Sequence, residues 1–205
     1  MRPQELQLPL RHFFRKRRFR NFRAAYRDCK NILDVGGDPE LWKIIGPHDG
    51  VVLLNSSFPG ENEFGPTETG GLPYLVSSGL SLPFASGAFD LAFSNSVIEH
   101  VGSEENQFQF AREMMRVGKQ VYCQTPSRLF PVDPHLTMPF LHWLPRKWLT
   151  PKFLRYFTLN GWLFKKPYKY DVTWISKKKL QKMFPGCQIT TERFLGLPKS
   201  FTVTG

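Results

Sequence analysis

The chain has 205 residues, which is enough for one α/β domain with a core of its own and too few for two domains of ordinary size. Hydrophobic residues make up 41% of it and charged residues 22%, a composition that excludes a disordered chain. The 28 Lys and Arg against 17 Asp and Glu give a formal net charge of +11, which permits an anionic partner without naming one.

Cysteine usage and hydropathy bear on where the protein works. Cys29, Cys123 and Cys187 lie far apart, so they predict neither a disulfide framework nor a CxxC zinc site, and we expect a reducing, cytoplasmic environment. The first thirty residues contain no apolar run typical of a secretory signal. Four glycines and two prolines interrupt the longest uncharged stretch, residues 69–89, so we expect no membrane-spanning helix.

The charge is unevenly distributed along the chain. Residues 1–30 carry ten Lys and Arg against two acids, residues 31–141 carry five against thirteen, and residues 142–182 carry eleven against one. An acidic body therefore lies between two basic segments. Two interpretations stay open: the basic segments are solvated helix faces, or they form a docking surface for phosphate or anionic lipid.

The first predicted element is a basic amphipathic helix within residues 1–30. Between His12 and Tyr26, aromatic residues including Phe14 and Phe22 recur at helical spacing, and arginines and lysines fill most of the remaining positions.

The rest of the chain alternates between predicted strands and helices. Apolar runs predict strands at residues 31–37, 51–54, 74–76, 88–94 and 120–124, followed by a closing strand pair at 188–194 and 200–203. Helices are predicted from Asp38 to about Ile45, from 103 to 117 and from 176 to 184. This order predicts a doubly wound, mostly parallel α/β sheet with a terminal antiparallel strand, and ligands of such sheets bind beyond the carboxyl ends of the strands.

The turn after the first strand reads Asp34-Val-Gly-Gly-Asp-Pro-Glu40. A dinucleotide site would need the spacing GxGxxG and helix N–H groups free to bind pyrophosphate. Here the glycines are adjacent, and Asp34, Asp38 and Glu40 would repel a pyrophosphate, whereas they suit a ligand with a cationic end. The turn therefore favours S-adenosylmethionine over NAD, although a tight strand–helix turn without a ligand would use the same residues.

Three longer stretches carry a family resemblance. They are ILDVGG at residues 32–37, LPFASGAFDLAFSNSVIEHV at 82–101 and PVDPHLTMPFLHWLP at 131–145, joined by the closing residues 192–200. In these stretches the chain resembles the class I S-adenosylmethionine-dependent methyltransferases, in their small type-11 branch. The resemblance spans roughly residues 30–205 and implies a Rossmann-like, three-layer αβα domain over residues 31–205, with S-adenosylmethionine as cofactor and S-adenosylhomocysteine as product.

The same resemblance implies roles for individual residues. Asp34 with the adjacent glycines would hold the methionine end of the cofactor, and Asn55 would meet the ribose hydroxyls. Ser78 would meet the adenine amino group, between flanking residues that contact the ring. The implied cofactor-binding residues are Asp34, Gly36, Gly37, Asn55, Ser78, Gly79, Leu80, Asn95 and Ser96, the last two lining the methionine pocket.

Departures from the family pattern fall on the same positions. Asn55 and Ser78 are neutral where acids are usual, and Asp38 replaces the second glycine of the fuller motif. Losing two charge-assisted hydrogen bonds would weaken cofactor binding by roughly 2–4 kcal/mol in sum, so an inactive relative is one of the alternatives.

Methyl transfer to a hydroxyl needs a base, and histidine is the natural one near neutral pH. His135 follows the fifth strand, where the acceptor should lie, and Asp133 would orient its ring. His100 opens the segment after the fourth strand and is the third candidate, with a structural hydrogen bond as its other interpretation. Glu99-His100 resembles part of the ExxEH metal motif of an RNA-end methyltransferase branch, but Ser96 holds the leading position and no HxxxH follows, so we predict no metal.

The segment of residues 125–165, called the lid here, combines aromatic with basic side chains. That combination suits a buried lid over an apolar acceptor, a membrane-interface patch or a nucleic-acid surface. The sequence predicts a methyltransferase acting at oxygen on a small-molecule or lipid-linked acceptor, with peripheral contact to the inner face of a membrane. The alternatives are an RNA or protein methyltransferase that docks through its basic segments, and a methyltransferase-like binding module without activity.

Overall fold

The computed structural model describes residues 8–46, 50–61, 68–133, 135–136, 138–158 and 170–205. The helices are α1 (Leu8–Ala25), α2 (Pro39–Ile45), α3 (Glu104–Val117), α4 (Pro151–Phe157) and α5 (Lys177–Met183). The strands are β1 (Ile32–Val35), β2 (Val51–Asn55), β3 (Tyr74–Val76), β4 (Phe89–Asn95), β5 (Gly118–Pro126), β6 (Gln188–Phe194) and β7 (Leu197–Thr204). Among these helices, none is both long and apolar enough to span a membrane.

All seven strands join in one sheet of order β3-β2-β1-β4-β5-β7-β6. β1 to β5 pair in parallel, and β7 is antiparallel to both β5 and β6. The chain runs outward from β1 to β3, then crosses back to place β4 on the other side of β1. This reversal makes the β1–β4 boundary the topological switch point, the place where open α/β sheets bind ligands. The predicted doubly wound sheet is confirmed.

Local capping explains why the helices begin where the sequence predicted. The Asp38 carboxylate accepts a hydrogen bond from the Glu40 N–H, which caps α2 ahead of Pro39. The Ser103 hydroxyl likewise accepts from the Asn106 N–H at the start of α3. In both cases a short polar side chain satisfies one of the N–H groups that a helix start leaves without an internal partner.

Buried side chains along the central strands alternate between two hydrophobic clusters. Leu33 of β1 and Ala92 of β4 pack on the face covered by α3 and α5. Ile32 and Phe93 pack on the opposite face with α1 and α2. Because neighbouring residues of a strand point to opposite faces, these clusters define three layers, helices, sheet and helices.

The helix α1 belongs to this core. Phe19, Phe22 and Tyr26 are 1%, 3% and 6% exposed, and the Phe22 ring lies 5.3 Å from that of Phe93 and 5.0 Å from that of Tyr122. The predicted helix was placed at residues 12–26, close to the observed 8–25. The side chain of Phe14 lies outside the described residues.

The lid has a hydrophobic cluster of its own. Leu136, Leu149 and Leu154 are buried against Tyr170 and Val172, which lie in the segment before α5. Several lid aromatics are exposed instead, namely Phe140, Trp143, Trp148, Tyr156 and Phe157. The lid therefore packs through its leucines, while the aromatic side that would be buried in a simple lid faces solvent. Residues 159–169, with Trp162 and Phe164, lie outside the described part.

Candidate active site

The glycine turn lies at the switch point, between the ends of β1 and β4. Gly36 has φ +79, and a Cβ there would lie 2.3 Å from a methyl group of Val97, so only glycine fits. The Gly36 N–H donates to the Leu54 carbonyl (2.7 Å), and the Asn55 amide donates to the Gly37 carbonyl (3.0 Å). These bonds join the turn to the end of β2 and place Asn55 beside the glycines, while its contact with the ribose hydroxyls stays a prediction.

Asp34 lies beneath this turn. Its side chain is buried, and the Trp42 indole N–H donates to its Oδ2 at 2.7 Å. Burial raises the pKa of Asp34 to about 7 despite that hydrogen bond. The carboxyl therefore holds α2 against β1. Its contact with a cofactor remains a prediction.

The residues after β3 form a second wall of the predicted cofactor site. The Ser78 hydroxyl accepts from the Leu80 N–H at 3.1 Å, which closes a short turn. A Cβ on Gly79 would lie 2.8 Å from the Phe110 ring of α3, so the turn packs directly on that ring. Ser78 itself is exposed. This arrangement leaves the Ser78–Leu80 backbone at the carboxyl edge of β3, where the sequence placed the adenine contacts.

The end of β4 is tied to α1. The Arg18 guanidinium donates to Asn95 Oδ1 at 3.2 Å and to Glu192 Oε2 of β6 at 2.7 Å. Ser96 has φ +59, and its hydroxyl donates to the Gln124 side chain of β5 at 2.9 Å. Arg18 brings a positive charge to the predicted methionine pocket.

The sequence analysis missed Arg18. Its position one residue before the buried Phe19 was the available signal, but only the tertiary packing of α1 shows which edge of the sheet it faces.

Two histidines meet at the ends of β4 and β5. His100 ends the short 3-10 helix Ile98–His100, and its Nε2 lies 2.9 Å from Nε2 of His135. Asp133 binds His135 twice, accepting from its backbone N–H at 2.7 Å and lying 2.8 Å from its Nδ1. The Tyr170 hydroxyl donates to the other Asp133 oxygen at 2.5 Å. The structure thus brings together all three residues predicted for the acceptor side.

The charge of Asp133 determines which nitrogen of His135 carries the proton. Burial acts to raise the pKa of Asp133, but the hydrogen bonds from His135 and Tyr170 outweigh it and lower the pKa below the ordinary value. An ionised carboxylate only accepts hydrogen bonds, so Nδ1 of His135 must be the donor. This is the orientation that the sequence analysis assigned to Asp133.

Glu99 is a further residue of the cluster that the sequence analysis did not select. It is fully buried, its Oε2 accepts from the Thr125 hydroxyl at 2.9 Å, and its Oε1 has no hydrogen-bond partner among the described residues. Burial raises the pKa of Glu99 above its ordinary value. The available signal was a lone acid in the apolar run SNSVIEHV, which a solvated face does not explain.

Comparison with known proteins bears on this arrangement. A family model described as a methyltransferase domain matches residues 58–121, which include β3, β4 and α3. An uncharacterized methyltransferase of Mycobacterium sp. (strain JLS) is 35% identical over 89 residues, covering 43% of this chain and 34% of that protein. Another, from Mycobacterium tuberculosis (strain ATCC 25618 / H37Rv), is 35% identical over 94 residues, covering 44% and 35%.

In this segment the chain is similar to methyltransferases. The matches span about a third of the length of these curated relatives. The glycine turn lies outside the segment that the family model matches.

Solved structures share the fold of this chain. The N-terminal domain of EvdMO1 with SAH bound has a TM-score of 0.56 at 16% identity, covering 93% of this chain and 80% of that one. The trans-methyltransferase CalH in complex with SAH has a TM-score of 0.57 at 12% identity, covering 98% and 60%. At these identities the likeness concerns the fold alone. It covers nearly the whole chain, including β1 and α2.

Proposed function

We propose that this chain is an S-adenosylmethionine-dependent methyltransferase that methylates a hydroxyl group. The observation that carries the proposal is the Gly36–Gly37 turn at the switch point, bordered by Asn55 and Asn95 and lying over the buried Asp34. The SAH bound to two structural neighbours supports it.

The residues at this edge fit S-adenosylmethionine better than a dinucleotide. Asp38 caps α2 with its own carboxylate, which satisfies the Glu40 N–H and places negative charge where a pyrophosphate would bind. Arg18, beside Asn95, offers a partner for the carboxylate of an amino-acid end. Glycine at positions 36 and 79 lets the backbone pack directly on Val97 and Phe110, which shapes the two walls of this edge.

The acceptor side supports transfer to oxygen. The cofactor supplies a methyl group on a positively charged sulfur: the acceptor oxygen bonds to the methyl carbon, the electrons of the broken C–S bond stay on sulfur, and the hydroxyl proton must leave. His135, oriented by Asp133, and His100 are the groups available to draw off that proton. An acceptor already carrying a strong nucleophile would need no such cluster.

The lid supports a lipid-linked or membrane-associated acceptor. Trp148, Tyr156 and Phe157 are more than half exposed, and Lys147 and Lys152 accompany them. Aromatic rings with basic neighbours suit the headgroup region of an anionic membrane. We therefore extend the proposal to peripheral contact with the inner face of a membrane, in the cytoplasm, where Cys29, Cys123 and Cys187 would stay reduced.

Calorimetric titration with S-adenosylmethionine and S-adenosylhomocysteine tests the cofactor assignment. We expect saturable binding of both, and Asn55→Ala should weaken it by about 5- to 30-fold, since it removes one hydrogen-bonding group worth roughly 1–2 kcal/mol. Asn106→Ala is the matched control, because that amide also donates to a backbone carbonyl but lies at the start of α3. No binding by the wild-type protein would favour the inactive binding module.

A further inference from the structure

The contact between His100 and His135 has an electrostatic problem. Nδ1 of His135 donates to Asp133, so in a neutral ring Nε2 carries a lone pair. Nδ1 of His100 lies 3.4 Å from the Asp171 carboxylate, which also favours a proton on Nδ1 and a lone pair on Nε2. The two Nε2 atoms are 2.9 Å apart. Two facing lone pairs repel at that distance, so either His100 carries its proton on Nε2 and donates it to His135, or a cation lies between the two nitrogens.

Glu99 distinguishes a proton between the two rings from a metal ion. A single proton shared by the rings would satisfy both nitrogens, but it would leave the buried Oε1 of Glu99 without a partner. A ligand atom of Glu99, one of His100 and one of His135 all lie within 4.8 Å of one another. A buried carboxylate with one unsatisfied oxygen is costly unless a cation compensates it. A metal ion would accept the lone pairs of both Nε2 atoms and give Oε1 of Glu99 a partner.

We propose that Glu99, His100 and His135 bind a first-row divalent transition metal ion. Two imidazoles and a carboxylate are a donor set of known zinc and non-haem iron sites, whereas magnesium prefers oxygen ligands. At metal–nitrogen distances of about 2.0–2.1 Å, nitrogens 2.9 Å apart subtend about 90° at a shared ion, the cis angle of octahedral coordination. Three protein ligands leave the remaining positions open.

The outer contacts of the cluster are those that a metal site needs. Asp133 holds the remote nitrogen of His135, and Asp171 faces the remote nitrogen of His100. Such carboxylates fix the ring orientation and the tautomer of metal-binding histidines. The Thr125 hydroxyl orients the Glu99 carboxylate in the same way. The sequence predicted no metal because Ser96 stands at the leading position of the motif, but His135, from a distant segment, supplies a ligand in space.

The metal would act on the acceptor. A hydroxyl coordinated at an open position loses its proton more readily, because the ion stabilises the alkoxide. This role rests on the proposed function, whereas metal binding rests only on the three side chains. Binding can therefore be measured without cofactor or acceptor.

Metal titration of the tag-free, chelator-treated protein tests the site. We expect about one equivalent of Zn²⁺ by calorimetry and of Co²⁺ by visible absorption, with a higher melting temperature in the presence of either. His135→Asn and Glu99→Gln should abolish saturable binding. Asp133→Asn should weaken it about 10–100-fold, since it removes an orienting group and not a ligand.

His142→Asn is the matched control. His142 is also a buried histidine, but its Nε2 lies 3.0 Å from the Arg128 carbonyl and its ring packs near Trp174, away from the cluster. Circular dichroism establishes that each variant is folded, and Glu99→Gln, which keeps an acceptor for Thr125, serves if His135→Asn is not. Absence of saturable binding by the wild type, or equal binding by His135→Asn and His142→Asn, overturns the proposal.

The failure of this proposal and that of the proposed function can be told apart. S-adenosylmethionine titration of the metal-free protein reports on the glycine turn alone, and Co²⁺ titration reports on the histidine cluster alone. Binding of cofactor without metal would point to a proton shared by the histidines. Binding of metal without binding of cofactor would support the metal site and contradict the proposed methyl transfer.

Discussion

At the scale of single residues, the site contains acids that serve different purposes according to burial. Asp133 is held ionised by its donors, whereas burial raises the pKa values of Asp34 and Glu99. Asp34, which is predicted to touch the cofactor, is buried and accepts a hydrogen bond from Trp42. Its carboxyl pays a desolvation cost that grows as the group ionises.

The titration of Asp34 predicts a pH dependence of stability. Between its ordinary pKa of 3.8 and the raised pKa of about 7, the folded protein keeps a proton that the unfolded chain releases. The contribution of Asp34 to the free energy of unfolding therefore falls as the pH rises through this window. Asp34→Asn cannot titrate, so relative to the wild type it should gain on the order of 3–4 kcal/mol from pH 4 to pH 8.

Urea unfolding across this pH range measures that difference. Asp90→Asn is the control, because hydrogen bonds from Lys119 and two backbone N–H groups lower the pKa of Asp90 to about 2, below the range tested. Parallel stability curves for Asp34→Asn and the wild type would contradict the assignment of a raised pKa.

At the scale of elements, α1 joins two parts of the molecule that are distant in sequence. Its aromatic face packs on β4 and β5 through Phe93 and Tyr122, and Arg18 reaches Asn95 and Glu192. A basic helix with one apolar face is also typical of membrane binding. Phe19 and Phe22 of this apolar face are already buried against the sheet, so they are not available to a membrane.

Phe22→Ala tests whether α1 contributes to the core, and it leaves the basic residues of the helix unchanged. We expect it to lower the free energy of unfolding by about 3–5 kcal/mol, because it leaves a cavity among five aromatic rings. Arg20→Ala, on the exposed side of the same helix, should change stability by less than about 0.5 kcal/mol. Chemical denaturation measures both, and an unchanged stability of Phe22→Ala would show that the helix is not part of the core.

At the scale of the whole molecule, the two basic segments flank the sheet as α1 and as the region from the lid to α5. The lid adds exposed aromatic rings to its basic charges, namely Trp143, Trp148, Tyr156 and Phe157. The combination favours an anionic surface with an apolar interior over a purely electrostatic partner.

Sedimentation with phosphatidylglycerol vesicles tests this preference. The wild type should bind in a salt-sensitive way, and the double variant Trp148→Ser with Tyr156→Ser should lose most of the binding while keeping its stability. Phe58→Ser removes an exposed aromatic ring outside the lid and should bind as the wild type does. Retention on RNA but not on vesicles would instead support the alternative of a nucleic-acid substrate.

The sequence predicted what local rules control. Asp38 and Ser103 located the helix starts through capping, and the apolar runs located every strand of the sheet to within a few residues. The glycine motif indicated where the cofactor side of the candidate site lies. The other half depended on distant contacts: nothing in the local pattern shows that Glu99 lacks a partner for one oxygen, or that the rings of His100 and His135 meet.

The position of β7 has a consequence for how the protein is made. β7 follows all the other strands in the chain, yet it lies between β5 and β6 and pairs with both. During synthesis, one edge of β5 therefore stays unpaired until β7 has been made. Until then β6 also has no neighbouring strand that would connect it to the sheet. Exposed strand edges invite pairing with other chains. A ribosome that stops before residue 197 would release a protein with every residue of the proposed site and an aggregation-prone sheet.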